Sequence, residues 1–191
     1  MNKINDLVDN LSTLNIDDID NFIINAESKL NKHFLEHDIY NKCKTTGGNT
    51  QNAERIYISE IKKVFDSMNI DYECASSQKA KDIRIKSPQI NIECKKTDST
   101  TIMLNDTLPD KDTYYLYIIT GNKKYKPQLK IINGEKFLEG NEWYLDYLSI
   151  INKTKDVFCR GENKKCKDTP LKCYLRPTWS VDLKYFNLLT Y

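Results

Sequence analysis

The sixteen residues from Lys81 to Lys96, KDIRIKSPQINIECKK, admit little besides a β-hairpin. Apolar and polar residues alternate through both halves, and strand side chains alternate between the two faces of a sheet. Ile83 and Ile85 therefore share one face, and Asp82 and Arg84 the other. In the second run Ile90, Ile92 and Cys94 form the apolar face, leaving Asn91, Glu93 and Lys95 on the polar one. Lys86, Ser87, Pro88 and Gln89 supply the turn. With the turn centred between Ser87 and Pro88, antiparallel pairing sets Asp82 across from Glu93 and Arg84 across from Asn91. Directly opposed side chains stand about 5 Å apart at Cβ, so two carboxylates face each other. A cation resolves that conflict.

Two carboxylates with the Cys94 backbone carbonyl nearby make an all-oxygen ligand set. Mg²⁺ prefers such a set, keeping several waters, with Mn²⁺ able to substitute. A metal so held polarises a phosphoryl oxygen and lowers the pKa of a bound water. Lys95, on the same face, would orient that water, accept its proton if its own pKa is depressed, or stabilise the developing charge. Asp82, Glu93 and Lys95 together describe a phosphodiester hydrolase.

The order Asp, turn, Glu-x-Lys, with a helix before and a strand after, resembles the PD-(D/E)XK nuclease superfamily and, within it, a small type II restriction endonuclease. The resemblance covers roughly residues 47 to 120 and rests on Asp82, Glu93, Cys94 and Lys95. Lys81 stands where the eponymous motif has proline. The resemblance implies an α/β fold, a restriction-endonuclease-like central mixed β-sheet flanked by helices, which cleaves double-stranded DNA with Mg²⁺. It implies a homodimer acting on both strands of a palindromic site, and a companion DNA methyltransferase in the same system. Glu-x-Lys also occurs at Glu27, Glu60 and Glu162, but only the copy at Glu93 lies in an alternating run with an aspartate of matching parity at hairpin distance.

Before the hairpin, TTGGNTQNAERIYISEIKKVFDSMNI opens with Gly47 and Gly48 and continues as a helix whose apolar residues Ile58, Ile61, Phe65 and Met68 fall at helical spacing. Glu54 precedes Ile58 by four and is expected on that stripe, pointing at the sheet. A core-facing carboxylate is costly unless paired or bound to a cation. In the resembled nucleases a helix glutamate often sits beside the metal, and Glu54 is the position that would carry that role. Ser77, Gln78 and Lys79 form a polar link where DNA would be contacted, as would Lys96. After the Glu-x-Lys strand, Asn105, Asp106 and Pro109 mark a loop of the kind several restriction endonucleases show, with Asn105 and Asp106 as further DNA contacts. A strand follows over Tyr114 to Thr120, another over QLKIIN, and an amphipathic helix over NEWYLDYLSIINK.

At 191 residues the chain is expected to be a single nuclease domain, with an acidic helical segment over 1–40, a catalytic core over 47–135 and a basic segment over 153–179. Residues 1–40 carry a net charge of −5 and the remainder +7. The acidic segment, with Ile4, Leu7, Val8 and Leu11 on one stripe and Ile19, Phe22, Ile23, Ala26, Leu30 and Phe34 on another, is expected to cap the sheet or form a dimer contact. The basic segment suits a polyanion, with Lys164 and Lys165 on phosphates and Arg160 or Arg176 reading guanine edges. His33 and His37 lack a third ligand and read as surface residues. Cys159, Cys166 and Cys173 lack the paired spacing of a zinc ribbon, and the six cysteines are expected reduced. No run of 18 apolar residues exists, which points to a soluble, cytoplasmic protein. The runner-up readings are a repair or junction-resolving nuclease and a non-catalytic or zinc-containing DNA-binding protein.

Overall fold

The alternating runs assemble into a mixed five-stranded sheet. In the computed structural model, which describes residues 16–45, 50–74, 82–105, 108–140, 142–158 and 178–189, β1 (Tyr72–Cys74), β2 (Ile83–Ile85) and β3 (Ile90–Thr97) form an antiparallel meander. Strand β5 (Thr113–Ile119) lies parallel to β3, and β6 (Gln128–Asn133) is antiparallel to β5, giving the order β1-β2-β3-β5-β6. Between them, β4 (Thr101–Asn105) leaves the main sheet and pairs antiparallel with β7 (Trp179–Asp182) in a second, two-stranded sheet. The hairpin register is the one its parity requires: Ile83 pairs with Ile92 and Arg84 with Asn91. Arg84 Nε donates to Asn91 Oδ1 at 3.3 Å across that pair.

Each face of the sheet has its own cover. Helices α1 (Ile16–Glu36), α2 (Ile39–Lys42) and α3 (Thr50–Ser67) lie on one side. There Ile23, Ala26, Leu30 and Phe34 of α1, at the spacing that makes one helical stripe, are buried with Ile83, Ile85, Ile90, Ile92, Cys94, Leu116 and Ile118 of the sheet. On the other side Tyr115, Tyr117, Ile119 and Ile132 meet Ile102 and Leu104 of β4 and Leu183 and Phe186 of the 3-10 segment Leu183–Leu189. Tyr115 and Tyr117 stack with ring centroids 5.9 Å apart.

The acidic helix α1 caps the sheet, closing the edge at β6. Edge strands expose unpaired amides and carbonyls, and here side chains of α1 answer them. Leu129 N donates to Asn31 Oδ1 at 2.8 Å, Asn31 Nδ2 donates to Leu129 O at 2.7 Å, and Ile131 N donates to Glu27 Oε2 at 2.9 Å. Lys130 adds an ion pair with Glu27 at 3.3 Å.

The amphipathic pattern ending at Lys153 continues as helix α4 to Phe158 (Trp143–Phe158), and Ile151 is its one buried residue. The expected strand over 114–120 runs one residue earlier, over Thr113–Ile119. The amino-terminal stripe Ile4, Leu7, Val8 and Leu11 lies outside the described residues. Among the described residues no helix is long and apolar enough to cross a membrane.

Candidate active site

Glu93 and Lys95 project from the middle of β3 with the parity of Tyr115 and Tyr117, their register partners on β5. That is the face covered by β4 and β7. Both side chains are about one-fifth exposed, and Lys95 Nζ donates to Glu93 Oε1 at 2.7 Å. Asp82 precedes β2 by one residue, one step beyond the Ile83–Ile92 pair at which the β2–β3 register ends. Its Oδ2 accepts the backbone N–H of Cys94 at 2.7 Å. That charge-assisted bond fixes the carboxylate against β3. Cys94 lies among all three charges: burial pushes its thiol well up, the Asp82 and Glu93 carboxylates add to the rise, and Lys95 opposes it.

Glu54 corrects the expectation. It is exposed, and the buried stripe of α3 runs through Ala53, Tyr57, Ile61, Val64 and Phe65, while Ile58 is only half-buried. One residue is a 100° step around a helix, so a stripe centred on Tyr57 rather than Ile58 turns Glu54 to the rim. Helix α3 also covers the Cys94 face of the sheet, opposite to Glu93 and Lys95. Burial raises the hydroxyl of Tyr57 on that stripe, and Cys94, Glu54 and Asp82 raise it further.

Lys96 is a second correction. Instead of reaching outward to a phosphate, its side chain is nine-tenths buried. Its ammonium donates to Cys43 O at 3.0 Å, to Thr45 Oγ1 at 2.6 Å and to both oxygens of Asp98 at 2.7 and 2.8 Å. Thr45 N and Thr120 Oγ1 also donate to Asp98, at 3.0 and 2.6 Å. This clamp joins the segment after α2 to the ends of β3 and β5. Sequence reasoning missed Asp98 because its partners lie 22 and 53 residues away.

No protein-family model, curated protein or solved structure matches this chain.

The remaining expected contacts divide. Ser77, Gln78, Lys79, Asp106, Arg160, Lys164, Lys165 and Arg176, together with Cys159, Cys166 and Cys173, lie outside the described residues. Asn105 ends β4, paired with Trp179. His33 is not a surface residue: its side chain is one-fifth exposed, and Nε2 lies 2.7 Å from Glu60 Oε2. His37 is exposed, with its ring centroid 4.4 Å from that of His33. Cys43, Cys74 and Cys94 are free thiols.

Among the described residues no group of three or more His, Cys, Asp and Glu side chains could hold a metal. A hard cation needs fewer protein ligands, since Mg²⁺ is commonly held by one or two carboxylates and several waters. Asp82, just before β2, and Glu93, on β3, are two such carboxylates, and the Cys94 carbonyl follows Glu93 in the chain.

Proposed function

We propose that this chain is a metal-dependent endodeoxyribonuclease of the PD-(D/E)XK type, acting as a type II restriction endonuclease on double-stranded DNA. The observation that carries the reading is that the Asp82 carboxylate is bonded to the backbone amide of Cys94, the residue between Glu93 and Lys95, which are bonded to each other. The mixed sheet, with helix α3 before the hairpin and β5 after it, supports the restriction-endonuclease-like reading of the fold.

When bound, Mg²⁺ or Mn²⁺ would polarise a phosphoryl oxygen and acidify a coordinated water. The chain's own contribution is orientation. The Cys94 amide sets Asp82 as a preorganised anionic ligand, at no reorganisation cost when the substrate arrives. Glu93 is the second carboxylate and also anchors Lys95. The Lys95 ammonium is thereby held on the polar face, where it orients a water or answers charge developing on phosphorus. A symmetric pair of chains would cut both strands.

The test is incubation with long duplex DNA of known sequence, with and without Mg²⁺, beside Glu93→Ala. Discrete Mg²⁺-dependent fragments that the variant does not produce are expected. Intact DNA across metals would sink the reading, and structure-selective cutting would assign the chain to the repair or junction-resolving nucleases.

A further inference from the structure

Beyond the carboxylate site, the described residues enclose a cleft of about 690 Å³ between the β4–β7 sheet, the segment after β6 and the start of α4. Its walls include Phe137, Trp143, Tyr144, Trp179 and Tyr185. Trp143 is 61% exposed, although burying an indole face would be strongly favourable. Its neighbours do not stack on it: Trp179 is tilted by 44° at 6.0 Å and Tyr147 by 55° at 6.3 Å. A large flat apolar surface is thus offered to something planar.

Charge narrows the occupant. Among the described lining residues Asp182 is the only carboxylate and there is no lysine, arginine or histidine, with Ser180 and Thr101 as its polar companions. A carboxylate rejects phosphate but accepts hydrogen bonds from an exocyclic amino group. Lys184, its ammonium 3.5 Å from Asp182 Oδ2 and 4.6 Å above the Tyr185 ring, stands beside those two lining residues as the nearby cation. An aromatic floor, an acceptor within and a cation beside it match a base with its phosphate left outside.

We propose that this cleft binds a single unstacked nucleobase carrying a phosphate, stacked on Trp143 with its polar edge towards Asp182. Base–aromatic stacking of this kind tolerates any base. The β4–β7 sheet that floors the cleft covers the same face of the main sheet as Glu93 and Lys95. That the base belongs to a nucleic-acid strand rests on the endonuclease reading; the base site itself does not.

Trp143 and Trp179 are the two tryptophans of the chain and both line the cleft, so fluorescence excited selectively in tryptophan reports on it. The full chain in EDTA is titrated with a short single-stranded oligonucleotide, its abasic counterpart and AMP. The oligonucleotide is expected to quench and the abasic strand to bind far more weakly. Followed through Trp179, the affinity of Trp143→Ala should be weaker by about 5- to 100-fold while Trp143→Phe retains most of it. Tighter binding of the oligonucleotide than of AMP assigns the base to a strand, and equal binding to a free nucleotide. Equal affinity for the abasic strand, no quenching by any probe, or an unchanged Trp143→Ala would overturn the proposal. So would a dimer that Trp143→Ala dissociates, which would give the cleft to a second copy. Quenching without any Mg²⁺-dependent cleavage removes the endonuclease reading alone; cleavage without quenching removes the cleft alone.

Discussion

Asp82, just before β2, and Cys94, on β3, are joined by a 2.7 Å bond from the Cys94 amide to the Asp82 carboxylate. The bond gives Asp82 a structural duty and a chemical one, and two substitutions separate them. Asp82→Asn keeps an oxygen for the amide but loses the charge, so cleavage should fall on the order of 100-fold or more with little change in unfolding. Asp82→Ala loses the acceptor too and should cost about 1.5–3 kcal/mol of stability in addition. Cleavage rates and urea unfolding of the two variants check this. Equal cleavage by wild type and Asp82→Asn would remove Asp82 from the site.

Asn31 anchors α1 to the sheet edge through both of its amide atoms. Its Oδ1 accepts from Leu129 N and from Tyr40 Oη at 2.7 Å, while its Nδ2 donates to Leu129 O. Asn31→Ala leaves these groups unpaired and should cost about 1–3 kcal/mol. The exposed Asn41, whose side-chain amide donates to Asp38 three residues away, is the control, and its Ala variant should change stability by less than about 0.5 kcal/mol. Urea denaturation measures both, and equal costs would show that α1 is held by its apolar stripe alone.

The parts legible in the sequence were those with local periodicity. The β2–β3 register followed from parity, and α1 from the spacing of Ile23, Ala26, Leu30 and Phe34. Strand β6 needed only its run of Leu129, Ile131 and Ile132. What escaped depended on distant partners. Strand β4 carries an alternating pattern, Ile102 and Leu104 inward with Met103 outward, but its pairing with Val181 and Ser180 spans almost eighty residues. Strand β1 is three residues long with two exposed, too short to leave a period. Glu54 was misplaced by one helical step because Tyr57, amphipathic by nature, took the inward position that the aliphatic count assigned to Ile58. Lys96 read as a surface charge because nothing near it in the sequence announces Thr45 or Thr120.

The Lys96–Asp98 clamp should make stability pH-dependent in the acid range. Burial pushes the Asp98 carboxyl up, but hydrogen bonds from Lys96, Thr120 and Thr45 outweigh it and bring it from its ordinary 3.8 down to about 2. A depressed folded pKa means the stabilisation is fully present above about pH 4 and is lost as pH falls towards about 2. Asp98→Asn removes the charge at every pH and leaves the buried Lys96 ammonium without its counter-ion. At pH 7 the variant should be less stable by roughly 1–3 kcal/mol, below the ~3–5 kcal/mol of a fully buried pair because Asp98 keeps a third of its side chain in water. The gap should narrow as pH falls below about 4 and close only below about pH 2, where the wild-type carboxyl is also protonated. Tm against pH for the two proteins tests this, and parallel curves would contradict it.

Tyr117 and Tyr115 stack on each other, yet their hydroxyls have opposite fates. Tyr115 Oη accepts the Asp110 N–H at 2.9 Å. The fully buried Tyr117 Oη has no hydrogen-bond partner among the described residues. Burial pushes that hydroxyl well above its ordinary pKa, with Tyr115 and Glu93 adding to the shift, so it stays neutral at any working pH. A buried hydroxyl without a partner costs about 1–3 kcal/mol. Tyr117→Phe keeps the ring among Tyr115, Phe137 and Phe186 and removes only that cost, so it should leave stability unchanged or raise it by about 1 kcal/mol. Tyr115→Phe strands the Asp110 amide and should lose about 1 kcal/mol. Urea unfolding of the pair decides the matter by sign. A loss in Tyr117→Phe as large as in Tyr115→Phe would mean that its hydroxyl is satisfied, and because the register places it beside Lys95, the partner to look for would be on the Glu93–Lys95 face.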